Sequence, residues 1–174
     1  MRFIFALCLF ATATQADPVM IDDFTGTAKP WRFFTDQVMG GVSTGQARIT
    51  DGALHLTGDV STANNGGFVQ ARLEGLALPE DATGLTITAR GDGQVYYIHL
   101  RTTGTRLPWQ YYQAAFTAPR DWADITLPLA AFRPSGSLLR ATPRAQDIRS
   151  VALVAYGRDH AADVRLSRIV AEVP

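Results

Sequence analysis

Apolar and polar residues alternate with a period of two along most of this chain, in short runs that turn residues interrupt. Ala53-Leu54-His55-Leu56-Thr57, Val69-Gln70-Ala71-Arg72-Leu73 and Leu85-Thr86-Ile87-Thr88 all follow it, as do Ile125-Thr126-Leu127 and Val164-Arg165-Leu166-Ser167. Successive side chains of a strand point to opposite faces, so such runs bury one face and leave the other free. Asp51-Gly52, Asn64-Asn65-Gly66-Gly67, Gly91-Asp92-Gly93 and Pro119-Arg120-Asp121 bound the runs. Short alternating strands with closely spaced turn signals predict an all-β antiparallel sandwich or barrel. Helical pattern is confined to single turns at Pro128–Phe132 and Pro143–Asp147, the second with proline at its start. No repeat, linker or biased stretch divides residues 17–174, so they read as one domain.

The opening sixteen residues follow a different rule. Met1-Arg2 supplies a positive charge, Phe3 to Ala13 is almost wholly apolar, and Thr14-Gln15-Ala16 places small residues before Asp17-Pro18. That is the pattern of a secretory signal peptide cleaved after Ala16, too short for a membrane anchor. The expected location is therefore secreted, in the periplasm, with no integral membrane segment after cleavage. The one cysteine, Cys8, lies inside the leader behind Leu7 rather than a small residue, so no lipoprotein signal is read there. Asp17–Pro174 is then free of cysteine, which excludes disulfides, a thiolate nucleophile and any cysteine-ligated metal.

Charge and motif content narrow the function classes. Lys+Arg and Asp+Glu are both 16, so no net field favours nucleic acid, and none is expected as a partner. No P-loop, dinucleotide fingerprint or nucleophile elbow is present. His55, His99 and His160 are far apart, and none has a second ligand at metal-motif spacing. His55 is read as a solvated strand position and His160 as part of a polar turn. No catalytic residue, resident metal or cofactor is predicted.

Three segments carry a resemblance. The first is Ile21-Asp22-Asp23-Phe24, then Trp31, then Asp36-Gln37-Val38-Met39-Gly40-Gly41-Val42-Ser43-Thr44-Gly45. The second is Asn64-Asn65-Gly66-Gly67-Phe68-Val69-Gln70-Ala71-Arg72. The third, mostly strand pattern, is Tyr112 to Phe116, Trp122, Ile125 to Leu129 and Phe132-Arg133-Pro134. Together they resemble the complex I intermediate-associated protein 30 family, over essentially the whole of Asp17–Pro174. The resemblance implies a jelly roll of the galactose-binding-domain-like type, similar to family 11 carbohydrate-binding modules. It also implies a non-catalytic role, since mitochondrial members are assembly chaperones for NADH:ubiquinone oxidoreductase. This chain differs from those members in having a secretory leader in place of a mitochondrial transit peptide. A protein partner, such as a respiratory complex subunit, is one expectation, and a periplasmic or extracellular glycan is the other.

Two groups of residues are candidates for contact. Gly40-Gly41 and Gly66-Gly67 permit positive φ or close backbone approach, and Asn64-Asn65 tolerates left-handed backbone. These segments, with Asp36 and Met39, are either structural turns or the frame of a binding mouth. Asp22, Asp23 and Asp36 offer oxygens of the kind a structural calcium ion takes. The second group comes from strand parity. Tyr96, Ile98 and Leu100 share one face with Tyr112, Ala114 and Phe116 as their apolar counterpart. If the two strands pair across Thr102–Pro108, then Tyr97, His99, Arg101, Trp109, Tyr111 and Gln113 share the other. Phe68, Gln70 and Arg72 extend that face. Its rings and polar groups suit a sugar or a protein surface, unless another part of the chain covers them. Trp31, Phe33, Phe116, Trp122 and Phe132 are read as core.

Overall fold

The structure, a computed structural model, describes residues 17–27 and 29–174. The leader, with Cys8 and the cleavage after Ala16, lies outside the described residues. Twelve strands form two antiparallel six-stranded sheets. The first contains β1 (Val19–Asp22), β3 (Thr44–Thr50), β4 (Ala53–Val60), β6 (Gly84–Gly91), β9 (Ala123–Pro128) and β12 (His160–Glu172). Its order is β3-β4-β12-β6-β9, with β1 also pairing to β12. The second contains β2 (Arg32–Thr35), β5 (Phe68–Glu74), β7 (Val95–Thr102), β8 (Tyr112–Thr117), β10 (Arg133–Pro134) and β11 (Ile148–Tyr156), in the order β10-β8-β7-β11-β5-β2.

Alternation places the core between the sheets. Leu54 and Leu56 of β4, Leu85 and Ile87 of β6, and Val164 and Leu166 of β12 face inward from the first sheet. Val69 and Ala71 of β5, Tyr96, Ile98 and Leu100 of β7, and Leu153 of β11 meet them from the second. The sandwich expected from the period-two pattern is what forms. Pro128–Phe132 and Pro143–Asp147 each contain a single 3-10 turn, at Leu129–Ala131 and Ala145–Asp147. Asp51 and Gly52, both at positive φ, close the β3–β4 hairpin as a two-residue turn.

The aromatic core expectation holds at Phe116 and Phe132, both buried, and partly at Trp31 and Phe33, which pack against the core half-buried. Trp122 is a correction, because its ring lies on the outer surface, 40% exposed, beneath the Arg90 guanidinium at 4.8 Å. It sits just before β9, where the chain has not yet turned into the sheet. His160 is a second correction. It opens β12 and sets its ring edge-on to Tyr96 at 6.2 Å, where a free turn was expected.

Phe132→Ala is expected to lower the unfolding free energy by about 3–5 kcal/mol, as for other buried aromatics. Trp122→Ala should cost only about 0.5–1 kcal/mol, the scale of an exposed cation–π contact. Urea denaturation of the two variants checks both.

Candidate functional site

The two glycine-rich segments are brought together, and the group that joins them is Asp36. This side chain is completely buried. Its Oδ1 accepts from the Ser43 amide at 2.9 Å, and its Oδ2 accepts from the Ser43 hydroxyl and the Gly67 amide, both at 2.5 Å. The Phe68 amide reaches Oδ2 at 3.3 Å. Ser43 Oγ in turn accepts from the Ser61 amide at 3.0 Å. A Cβ on either Gly41 or Gly66 would overlap the Asp36 carboxylate, so glycine is required at both by close approach. Asn64 and Asn65 take positive φ to complete the loop.

Asp36, Ser43 and Gly67 form an internal bracket, with Gly41 and Gly66 packed against the carboxylate. The three carboxylates also do not converge. Asp22 accepts from the Phe24 amide and from Trp31 Nε1 at 2.8 Å, and Asp23 accepts from the Thr25 amide and hydroxyl. No group of three or more candidate metal-binding side chains occurs among the described residues. The segment between Asp36 and Ser43 exposes apolar side chains, Val38 by 77%, Met39 by 64% and Val42 by 46%, while Asn64 and Asn65 stand exposed on the other loop.

The outer face of the second sheet is the larger feature. β7 and β8 pair antiparallel with His99 opposite Gln113, and the strand between β7 and β5 is β11. Ala152 therefore lies between His99 and Arg72, and Val154 between Tyr97 and Gln70, with Tyr156 beside Phe68. Short side chains on β11 let larger neighbours lean over them, and Ala152 and Val154 are buried on this face. Tyr111 stacks on His99 with centroids 4.1 Å apart and planes 8° from parallel. Tyr156 sets its ring nearly perpendicular to Tyr97 at 6.0 Å and to His99 at 6.1 Å.

Trp109 and Tyr111 precede β8 on a connecting loop, so parity alone does not place them. Internal bonds do. Ser135 Oγ accepts from the Tyr111 amide at 3.0 Å and donates to the Trp109 carbonyl at 2.9 Å. Gln110, buried, accepts from the Arg106 and Leu107 amides, and Arg101 donates to the Leu107 carbonyl at 2.9 Å. Arg101 is thus committed to holding the loop. Arg72 pairs with Glu74 at 3.0 Å and lies over Phe34 at 4.6 Å. Trp109 stands clear, 67% exposed, while Tyr97 and Tyr111 are half-buried, and among the described residues no other element seals this face.

Polarity under the rings is unusual. Among the described residues, five buried side-chain atoms have no hydrogen-bond partner. Four of them belong to this face: His99 Nε2, Gln113 Oε1, Ser150 Oγ and Arg72 Nε. Native structures pair nearly all such groups, so their concentration here sets the face apart. Burial holds the His99 imidazole down at about 3, against the opposing pull of the Gln113 side chain, and pushes the Tyr111 phenol up. Tyr156 and Phe34 were not anticipated from sequence. Val151–Tyr156 reads as one apolar run because neighbouring side chains bury Ala152 and Val154 on the outer side, and a run without alternation does not announce an outer face.

A sandwich of two six-stranded antiparallel sheets is a fold that this chain shares with solved carbohydrate-binding modules. The chain is similar to the family 11 module of a cellulosomal cellulase of Clostridium thermocellum, with 14% identity and a TM-score of 0.71 over 92% of this chain and 97% of that one. A second structure of that organism's family 11 module, in complex with a β-1,3-1,4-mixed-linked tetrasaccharide, gives 14% identity and a TM-score of 0.72 over 90% and 95%. A family 29 carbohydrate-binding module gives 8% identity and a TM-score of 0.53 over 91% and 86%. At these identities the likeness establishes the fold. No curated protein sequence matches the chain. The model of the complex I intermediate-associated protein 30 family matches residues 22–167, and the chain belongs to that family.

Burial raises the Asp36 pKa, but the Ser43 hydroxyl and the Gly67, Ser43 and Phe68 amides outweigh it, leaving the group below the ordinary carboxylate value of 3.8. A depressed folded-state pKa contributes stability that is complete above the unfolded value and lost as pH falls through the folded one. Asp36→Asn is therefore expected to cost about 2–3 kcal/mol near neutral pH, by stranding buried donors. It should also flatten the loss of stability below about pH 4. Denaturant unfolding of both proteins from pH 7 to pH 2.5 measures the two effects.

Proposed function

We propose that this chain is an exported, non-catalytic binding domain whose face around Trp109, Tyr111, His99, Tyr97 and Tyr156 takes a carbohydrate. The observation that carries this reading is the cluster of rings on this face, with Trp109 67% exposed, Tyr156 37% exposed and Tyr97 and Tyr111 half-buried. A sugar offers apolar ring faces for stacking and hydroxyls that both donate and accept. The face is also preorganised, since Ser135, Gln110 and Arg101 hold the Trp109 loop before any ligand arrives. Its fold is shared with a module solved in complex with a mixed-linked tetrasaccharide. Export, read from the leader, brings the domain to periplasmic or extracellular glycans.

A second reading has its own support. Val38, Met39 and Val42 form an exposed apolar tip on the bracketed loop, which suits a protein partner. On this reading the chain covers an apolar surface of an unassembled protein, such as a respiratory complex subunit, in keeping with the family's description.

Glycan-array screening followed by affinity electrophoresis separates the two. Trp109→Ala is expected to weaken glycan binding about tenfold, equivalent to about 1.4 kcal/mol. Val38→Ser with Met39→Ser should leave it unchanged. No glycan signal, together with membrane-protein capture lost in the Val38/Met39 variant, would instead support the protein-partner reading. Because the His99 imidazole stays neutral above pH 5, glycan affinity should vary by less than about twofold from pH 5 to 8.

A further inference from the structure

The outer face of the first sheet carries a second site, on the side of the sandwich away from the aromatic face. Arg165 of β12 lies directly opposite His55 of β4 on one side and Arg90 of β6 on the other, and Arg48 of β3 lies opposite His55. Residues directly opposite in a ladder share a face, so one row across four strands reads Arg48, His55, Arg165, Arg90. Like charges facing each other in this way are destabilising. Among the described residues the arginine–carboxylate pairs are Arg72–Glu74 and Arg168–Asp124, His55 is hydrogen-bonded to Asp163, and Arg90, Arg165 and Arg48 have no carboxylate within 4.0 Å.

At the end of this row is a cavity of about 230 Å³, lined by Arg90, Gly91, Asp92, Arg120, Asp163 and Arg165. That volume is several times a water's share of liquid volume, about 30 Å³. Its cationic groups are held from behind. The Trp122 ring supports Arg90 at 4.8 Å. The turn carrying Arg120 is fixed by the Gly91 amide on the Pro119 carbonyl at 2.6 Å and the Gly93 amide on the Ala118 carbonyl at 2.9 Å. Two carboxylates share the lining, and each already accepts hydrogen bonds. Asp92 accepts from the Gln94 amide and the Tyr96 hydroxyl, and Asp163 Oδ1 meets His55 Nε2 at 2.8 Å.

We propose that the Arg90, Arg120 and Arg165 guanidinium groups form an oxyanion site that takes a phosphate or sulfate group, free or as the head of a larger ligand. Arginine forks match the oxygens of such groups with paired hydrogen bonds, and a bound dianion removes the repulsion along the row. Uncharged sugars at the aromatic face would neither need this site nor disturb it, so the proposal stands apart from the carbohydrate reading.

Thermal denaturation and amide NMR spectra of the protein, with inorganic phosphate or sulfate against chloride at equal ionic strength, provide the test. Phosphate and sulfate are expected to raise the melting temperature above the chloride control and to move the resonances of residues 90–92 and 163–165. Arg165→Gln and Arg120→Gln should each weaken that response about tenfold, while Trp109→Ala leaves it intact. Arg120 is exposed on a turn, so its variant folds even where Arg165→Gln does not. Pelleting with phosphatidylglycerol vesicles that phosphate competes away would assign the group to a lipid headgroup. A phosphate or sulfate response without pelleting would assign it to a soluble ligand. An equal response to chloride, or an undiminished response in Arg120→Gln, overturns the proposal.

Discussion

One buried carboxylate holds the end of this sandwich together. Asp36 follows β2 of the second sheet, and Ser43, its main partner, precedes β3 of the first. Ser61, bonded to Ser43, follows β4, and Gly67 immediately precedes Phe68, the first residue of β5 back in the second sheet. Both of these crossings between sheets therefore meet at the same group. A charge taken wholly out of water is costly unless hydrogen bonds compensate it, and here three amides and a hydroxyl do so. That requirement accounts for the glycines at 41 and 66, whose hydrogens leave room for the carboxylate. It also sets the start of β5, whose Phe68, Gln70 and Arg72 lie along one side of the aromatic face.

The two outer faces of the sandwich follow different chemistry although the same alternation produces both. On the second sheet, rings from β7, β11 and the Trp109 loop lean over short residues and enclose polar atoms that lack partners. On the first sheet, arginines stand in a row across β3, β12 and β6 with few counter-charges. One face presents rings above enclosed polar groups, the other a row of arginines.

Much of the architecture was legible in the sequence because strand parity is a local property. The inward sets Tyr96/Ile98/Leu100 and Tyr112/Ala114/Phe116 follow from alternation alone, and so does the grouping of Tyr97 with His99. Trp122 misled because a tryptophan near a strand looks like core, and nothing local says that the chain is still outside the sheet. Tyr156 went unread because neighbouring side chains bury Ala152 and Val154 on the outer side and the run shows no alternation. Asp36 was grouped with Asp22 and Asp23 as a further carboxylate, whereas its partners are Ser43 and the amides of Gly67 and Phe68, 7, 31 and 32 residues away.

Strand periodicity, turn residues and the family motifs, then, determined the sandwich and which side of each strand faces out. Strand order did not follow from them, because it depends on which distant segments meet. Only the tertiary structure put β11 between β7 and β5, Arg165 between His55 and Arg90, and one carboxylate between two glycine-rich loops. Local parity is encoded residue by residue, but a site made of neighbours from separate strands exists only after those strands have paired.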